Sequence, residues 1–363
     1  MALSRLSVSN LRNLAHVDIQ PSPAVNLIYG ENGSGKTSLL ESINVLALGR
    51  SFRSHKIKPL INESAPALTV FGKVSHSGTE IPLGVHRPRI GDSQFKALGA
   101  PVESLAELAS YLPLQVINAD AFGLLVGSPK LRRQYLDWLV FHVEHEFYAL
   151  WRAAQRCLKH RNSILRRGRI GEGELTPWNL ELASCTEKID SLRSECFERL
   201  LLVLEPLLKE FMAVDGLKLS LYRGWEKGRA YQEILQETLP RDLKQGFTGS
   251  GFHRADIKIR INGQSAADIL SRGQQKLLVC ALKLAQGQLF EQLTGRRCVY
   301  LVDDLPAELD EKHRYLLVKW LNILRTQVFI TGVEVDPLIS PWSDQNQEVK
   351  VFHVEHGEIT SED

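Results

Sequence analysis

What this sequence lacks narrows it first. No stretch approaches the ~18 consecutive apolar residues that a membrane-spanning helix needs. The start, Met1-Ala2-Leu3-Ser4-Arg5-Leu6, carries no long apolar segment of the kind that marks secretion. The five cysteines (Cys157, Cys185, Cys196, Cys280, Cys298) are scattered and form no C-x-x-C pair. That pattern argues against a disulfide framework or a zinc site, and for a reducing, cytoplasmic setting. An excess of charge of one sign is missing too, since the formal net charge is only +2. Contact with nucleic acid must then come from a local patch, not from an overall field. Low-complexity tracts are absent, and 44% hydrophobic with 24% charged residues is the balance of a globular chain. At 363 residues the chain exceeds one typical core, so two lobes or one domain with a large insertion are expected.

What is present begins with Gly30-Glu31-Asn32-Gly33-Ser34-Gly35-Lys36-Thr37, which fits the phosphate-loop pattern G-x-x-x-x-G-K-[ST]. The glycines let the backbone turn through positive φ and bring N–H groups onto phosphate oxygens. Lys36 supplies a point charge for the β- and γ-phosphates, and the Thr37 hydroxyl can ligate Mg²⁺. Residues 24–29 read as a strand entering the loop, and 37–48 as a helix whose N-terminal dipole faces the anion. Binding of a nucleoside triphosphate, with ATP and Mg²⁺ as cofactors, is the expectation.

Around the loop, Leu3–Asn10 alternates like an edge strand, residues 17–19 continue the alternation, and 66–102 carry short β-like runs of an antiparallel sheet. Residues 112–117 look like a buried strand. The stretch 50–58 holds Arg50, Arg53, Lys56, Lys58, a histidine (His55) and an exposed-looking Phe52. It reads either as a solvated loop or as a contact for the DNA backbone. From Ser128 helical periodicity runs to about Arg167, and a second helix runs from Pro177 to about Phe211. Two such helices would each extend roughly 50–60 Å and pair as an antiparallel arm. Its tip is basic, with Arg152, Arg156, Lys159, Arg161, Arg166, Arg167 and Arg169. Phe141-His142-Val143-Glu144-His145 recurs at 352–356; the first copy reads as helix and the second as strand, so no metal ligands are assigned there.

From Ile257 strand and helix resume. Ser271-Arg272-Gly273-Gln274 opens a helix with a serine cap, another anion-binding helix start. Residues 298–304 form an apolar strand ending in two carboxylates. Beside a phosphate loop such a carboxylate holds Mg²⁺ and a second can orient the attacking water. Asp303 is assigned to the metal with Thr37, and Asp304 to the water. Ala307-Glu308-Leu309-Asp310 reads as the start of a further helix, and 327–331 as a core strand.

Leu11-Arg12-Asn13, Gly30–Thr37, Gly251–Asp256, Leu270–Lys276, Asp303-Asp304 and Glu308–Asp310, in this order, resemble the SMC/Rad50-like branch of the ATP-binding cassette superfamily. The resemblance spans nearly the whole chain. It implies an α/β fold: a P-loop ATPase head with a mixed sheet and an antiparallel β subdomain, over 1–120 and 250–363. A second lobe over 121–249 would carry a short helical arm, with the signature helix near 271–290 packed alongside. By the same resemblance Ser271, Gly273 and Gln274 meet ATP held by a partner subunit, Asp310 lies at that interface, and Arg12 and Asn13 approach the phosphates of their own subunit. A DNA-dependent ATPase that dimerises on ATP and clamps DNA at single-strand gaps is implied. RecO and RecR would be its partners in recombinase loading, replication restart and the SOS response. The chain departs from the family with Phe252 for proline, Ala255 for aspartate, Asp304 for the transporters' glutamate, and Thr331-Gly332 where they carry a switch histidine. Gln115 is the candidate Mg²⁺-sensing glutamine. A transporter's nucleotide-binding subunit is the alternative, against which the basic arm and the Leu-Arg-Asn segment speak; a P-loop kinase has no use for the Ser271 helix.

Overall fold

Strands that alternate apolar with polar residues build one sheet here, and strands that are apolar throughout build another. The computed structural model describes residues 1–54, 56–76, 78–212, 214–343 and 347–362. In chain order the strands are β1 (Ala2–Leu11), β2 (Leu14–Ile19), β3 (Val25–Tyr29), β4 (Ala67–His76) and β5 (Thr79–Pro88). Next come β6 (Gln94–Ala97), β7 (Ala100–Pro101), β8 (Leu114–Ile117), β9 (Leu217–Tyr222) and β10 (Asp256–Ile261). The last are β11 (Gln264–Ser265), β12 (Val299–Val302), β13 (Val328–Gly332), β14 (Val349–Glu355) and β15 (Glu358–Glu362).

The chain divides into two compact units, residues 1–121 with 276–363, and residues 122–275. The first holds an antiparallel sheet of order β2-β1-β4-β5-β6-β7 and a mixed sheet of order β15-β14-β3-β13-β12-β8. In the mixed sheet only the β14–β15 pair is antiparallel. β12 is buried at every position and β3 at all but Tyr29, which is why they read as unbroken apolar runs. The helix Lys36–Leu48 carries Leu39, Leu40, Ile43 and Leu46 into one core with Leu3, Leu6 and Val70 of the first sheet and Ile28, Leu301 and Phe329 of the second. β1 is therefore not an edge strand: it lies between β2 and β4, a partner some sixty residues away in sequence that local alternation cannot reveal. Phe52 is half-buried against this core, not exposed.

The second unit contains the helices Pro129–Val143, Phe147–Arg166 and Thr176–Phe211, and a small sheet of order β11-β10-β9. The expected first arm helix is thus two helices. Glu144 leaves the helical region at φ −109°, ψ 107°, yet the helices on either side both pack on Thr176–Phe211, so the apolar period continues across the break. Arg161 is fully buried on Asp242 (2.9 Å) and Thr248 (2.6 Å), Arg156 pairs with Glu181 and Arg167 with Glu174. The arm is accordingly less basic than its sequence. Residues 250–275 group with this unit and not with the first, because β10 pairs with β9 along its length. The first Phe-His-Val-Glu-His copy ends a helix at Val143 and the second lies on β14 and its turn. Among the described residues no helix is long and apolar enough to cross a membrane.

Candidate nucleotide site

The phosphate loop leaves β3 and enters the helix Lys36–Leu48. Gly30 has φ +147°, and a Cβ there would lie 2.2 Å from the carbonyl oxygen of Val354, so only glycine fits. Within the loop the Ser34 N–H donates to the Glu31 carbonyl (3.2 Å). Lys36 Nζ donates to the carbonyls of Gly30 (2.6 Å) and Glu31 (2.7 Å). Burial pulls the Lys36 ammonium below its ordinary pKa, opposed by Asp304 and Asp303. The Ser34 hydroxyl is buried with no hydrogen-bond partner among the described residues.

At the end of β12, Asp303 Oδ1 accepts from Thr37 Oγ1 (2.9 Å) and from Thr331 Oγ1 (2.9 Å). Thr331 stands at the same level on the neighbouring strand β13, and its hydroxyl also accepts the Asp304 N–H (2.7 Å). Asp304 adopts the left-handed region at φ +54°. Burial, then the charge of Asp303, pushes its carboxyl above the usual carboxylate range, and Lys36 opposes this. On the other flank Asn13 Nδ2 donates to the carbonyls of Ser34 (2.8 Å) and Gly33 (3.3 Å), while Asn13 Oδ1 accepts from Ser38 Oγ (2.9 Å). Arg12 forks onto the fully buried Glu41 (2.8 and 3.0 Å), which also accepts from Ser51.

These groups line one cavity of about 710 Å³, within the range of small-molecule sites. Of the residues singled out in the sequence, Arg12, Asn13, Asn32, Gly33, Gly35, Lys36, Thr37, Asp303 and Asp304 line it. Glu31 and Gly30 take part through their carbonyls, Ser34 through its backbone. Arg53 lines the same cavity, together with Pro59, Ile61, Asn62 and Glu63, whereas Arg50, Lys56 and Lys58 are exposed and not part of its wall. His55 lies outside the described residues. Sequence reasoning missed Thr331 as a link between the two aspartates, and Glu41 as the partner of Arg12. Only the strand-end position of Thr331 hinted at it.

The remaining candidates stand apart from this cavity's walls. Ser271 and Gln274 form a reciprocal cap: the Gln274 N–H donates to Ser271 Oγ (3.3 Å) and the Ser271 N–H to Gln274 Oε1 (3.0 Å). Ser271 and Gly273 are exposed at the start of the helix Arg272–Thr294. Asp310 does not lie inside a helix begun at Ala307. One short helix ends at Glu308, Leu309 is extended, and Asp310 caps the next helix by accepting from the His313 N–H (3.0 Å). Gln115 is buried on Gln286 (2.8 Å) and Lys283 (3.1 Å) and is not part of the cavity wall, so it is not placed to sense a metal there. Among the described residues no group of three or more His, Cys, Asp or Glu could hold a metal.

Comparison with known proteins decides the family. The family model described as RecF/RecN/SMC N terminal domain matches residues 2–360. The DNA replication and repair protein RecF of Cellvibrio japonicus is 59% identical over 99% of both chains. The chain belongs to the RecF family. The RecF protein of Azotobacter vinelandii is 50% identical over 99% of this chain and 98% of its own. A solved structure of the recombination mediator protein RecF with ATP, in the RecFOR pathway, superposes with a TM-score of 0.86 at 28% identity, covering 99% of each chain. The SMC head bound to the C-winged helix domain of ScpA shares the fold at a TM-score of 0.60 and 15% identity, covering 100% of this chain and 98% of its own. The architecture is that of an ABC-type ATPase head, and membership of the RecF family removes the transporter-subunit and kinase readings.

Proposed function

We propose that this protein is an ATP-dependent DNA-repair protein that dimerises on ATP and clamps DNA at single-strand gaps or duplex junctions. The observation that carries the reading is the Thr37–Asp303–Thr331 hydrogen-bond chain, which lines one cavity with Lys36 of the phosphate loop. A triphosphate fits these residues: the Lys36 ammonium, Gly33 and Gly35 of the loop and the Thr37 hydroxyl all line the cavity and suit anionic oxygens. Thr37 and Asp303 would hold Mg²⁺, which takes only one or two protein oxygens when phosphates supply others. When bound, the metal neutralises charge on the phosphates.

The chain's own groups do the rest. Lys36 exchanges its loop carbonyls for phosphate oxygens. Asp304, with its carboxyl raised by burial, takes the proton of the attacking water as general base. Thr331 holds the two aspartates in register. Ser271 and Gly273, exposed on the second unit, and the half-buried Gln274 meet ATP held by a partner subunit, with Asp310 at that interface. Arg50, Lys56 and Lys58 contact DNA phosphates without reading sequence. By kinship with RecF of the RecFOR pathway, RecO and RecR are the partners, and recombinase loading is the task.

Sedimentation of the purified protein tests this. ATP should convert monomer to dimer, and gapped duplex should then raise the rate of ATP hydrolysis. A protein that stays monomeric in ATP, or whose hydrolysis ignores DNA, sinks the proposal.

A further inference from the structure

The phosphate loop is held from two sides by the tips of two hairpins. On one side the Arg12-Asn13 turn between β1 and β2 delivers the Asn13 amide to the Ser34 carbonyl at 2.8 Å. On the other, the His356-Gly357 turn between β14 and β15 delivers the Gly357 N–H to the same carbonyl, also at 2.8 Å. The two turns touch as well, since a Cβ on Gly357 would lie 2.2 Å from the Asn13 carbonyl oxygen. His356 and Gly357 both have positive φ (49° and 85°), the geometry of a tight hairpin turn in which glycine is strongly favoured. Further back, β14 runs parallel to β3, His353 stacks on Tyr29 with ring centroids 4.7 Å apart, and the Val354 carbonyl occupies the space beside Gly30.

This arrangement has a consequence for anion binding. A trans peptide points its C=O and its N–H in opposite directions, and no cis peptide is present among the described residues. Fixing the Ser34 carbonyl with two donors therefore turns the Gly35 N–H away from both of them, and Gly35 lines the cavity. One bond alone would leave the peptide free to rock about it. Two donors, themselves in contact, leave it a single orientation.

We propose that the C-terminal hairpin Val349–Glu362 belongs to the nucleotide-binding machinery, with Gly357 as a positioning residue that acts with Asn13 to preorganise the phosphate loop. Gly357 touches no nucleotide; it acts through Ser34. The inference rests on the ATP-binding reading for its purpose but not for its geometry.

The test uses the full-length protein and a matched pair of substitutions. Gly357→Ala and Gly295→Ala both place alanine at positive φ (85° and 67°), but only the first has a neighbour for the new Cβ to strike; around Gly295 there is nothing within 4 Å. Hydrogen exchange without nucleotide should speed up across 30–37 in Gly357→Ala and stay parental in Gly295→Ala. Affinity for a fluorescent ATP analogue should fall about tenfold or more in the first and little in the second, the size of loss seen when an outer support of a preorganised site is removed. Asn13→Ala removes the other donor without backbone strain and should act in the same direction. The double variant should be less than additive, because either loss alone frees the peptide. Equal exchange in the two glycine variants, or full additivity, overturns the brace. Failure of the parent to bind the analogue would instead overturn the ATP reading, and the exchange data would still decide the brace.

Discussion

The phosphate loop and the Ser271 helix start are both glycine-bearing anion sites by their residues, yet the chain treats them differently. Gly30 is required by its own molecule, because the Val354 carbonyl fills the space that a side chain would take. Gly273 is not: a Cβ there would meet nothing within 4 Å, and it lies exposed on the first turn of its helix. The loop is held within its own unit: Lys36 bonds the Gly30 and Glu31 carbonyls, and the Thr37 hydroxyl bonds Asp303. The helix start is held only as a cap, through Ser271 and Gln274. No neighbour among the described residues demands a small residue at 273, as the proposed half-site would have it.

The largest effect that would separate the two comes from charge and bulk. Lys36→Ala should abolish nucleotide binding, since the phosphates lose their principal cation. Ser271→Arg should leave nucleotide binding within a few-fold of parent and prevent dimerisation in ATP. Equilibrium titration with an ATP analogue and sedimentation in ATP read the two properties separately. A Ser271→Arg protein that dimerises normally would break the comparison, because the helix start would then be an ordinary cap.

Next in size is chemistry within the loop's site. Asp304→Asn keeps shape and the N–H bond to Thr331 but removes the base, so hydrolysis should fall by roughly 10²–10⁴-fold while ATP binding persists. With ATP uncleaved, the dimer should stay on DNA longer than the parent. Asp303→Asn should weaken Mg²⁺-dependent ATP binding itself, because it removes the negative charge proposed to hold the metal, while its amide oxygen can still accept from Thr37 and Thr331. Steady-state hydrolysis and filter binding on both variants decide it. Parental turnover in Asp304→Asn would remove that residue from catalysis.

The same contrast explains what could be read from the chain alone. Gly30–Thr37 is legible because its chemistry is local: strand, turn and helix follow one another within a few residues. Asp303-Asp304 is legible because an apolar strand ending in carboxylates is rare without a use for them. Thr331, Glu41 and Gly357 were not legible, since each acts on a residue far off in sequence and none belongs to a short pattern. Arg161 misled for the same reason: its partner Asp242 lies 81 residues away, so the sequence presented a free cation where the fold buries an ion pair. The break at Glu144 was hidden because periodicity records which face is buried and not whether the backbone stays helical.

The smallest effect concerns acid, where the two units should pull in opposite directions. Asp304 has a raised pKa, so its folded form binds a proton more readily than the unfolded chain, and acid favours the fold there. His253, in the second unit, is pushed down to about 4, first by burial and then by Arg254 and Arg133, with Asp242 and the Thr248 carbonyl opposing. Its Nε2 donates to the Thr248 carbonyl at 3.1 Å, and its Nδ1 is buried with no acceptor among the described residues. A second proton would have to sit on Nδ1, unpaired and beside two arginines. An unfolded histidine titrates near 6.5, so stability contributed by the neutral ring is complete above that pH. It is lost as pH falls toward 4, by about 1–3 kcal/mol over the window. Melting temperature should therefore drop between pH 7.5 and 5.0, and His253→Gln, which can keep a donor to Thr248, should shrink that drop. Equal drops in the two proteins would mean that His253 is not what makes the second unit acid-sensitive.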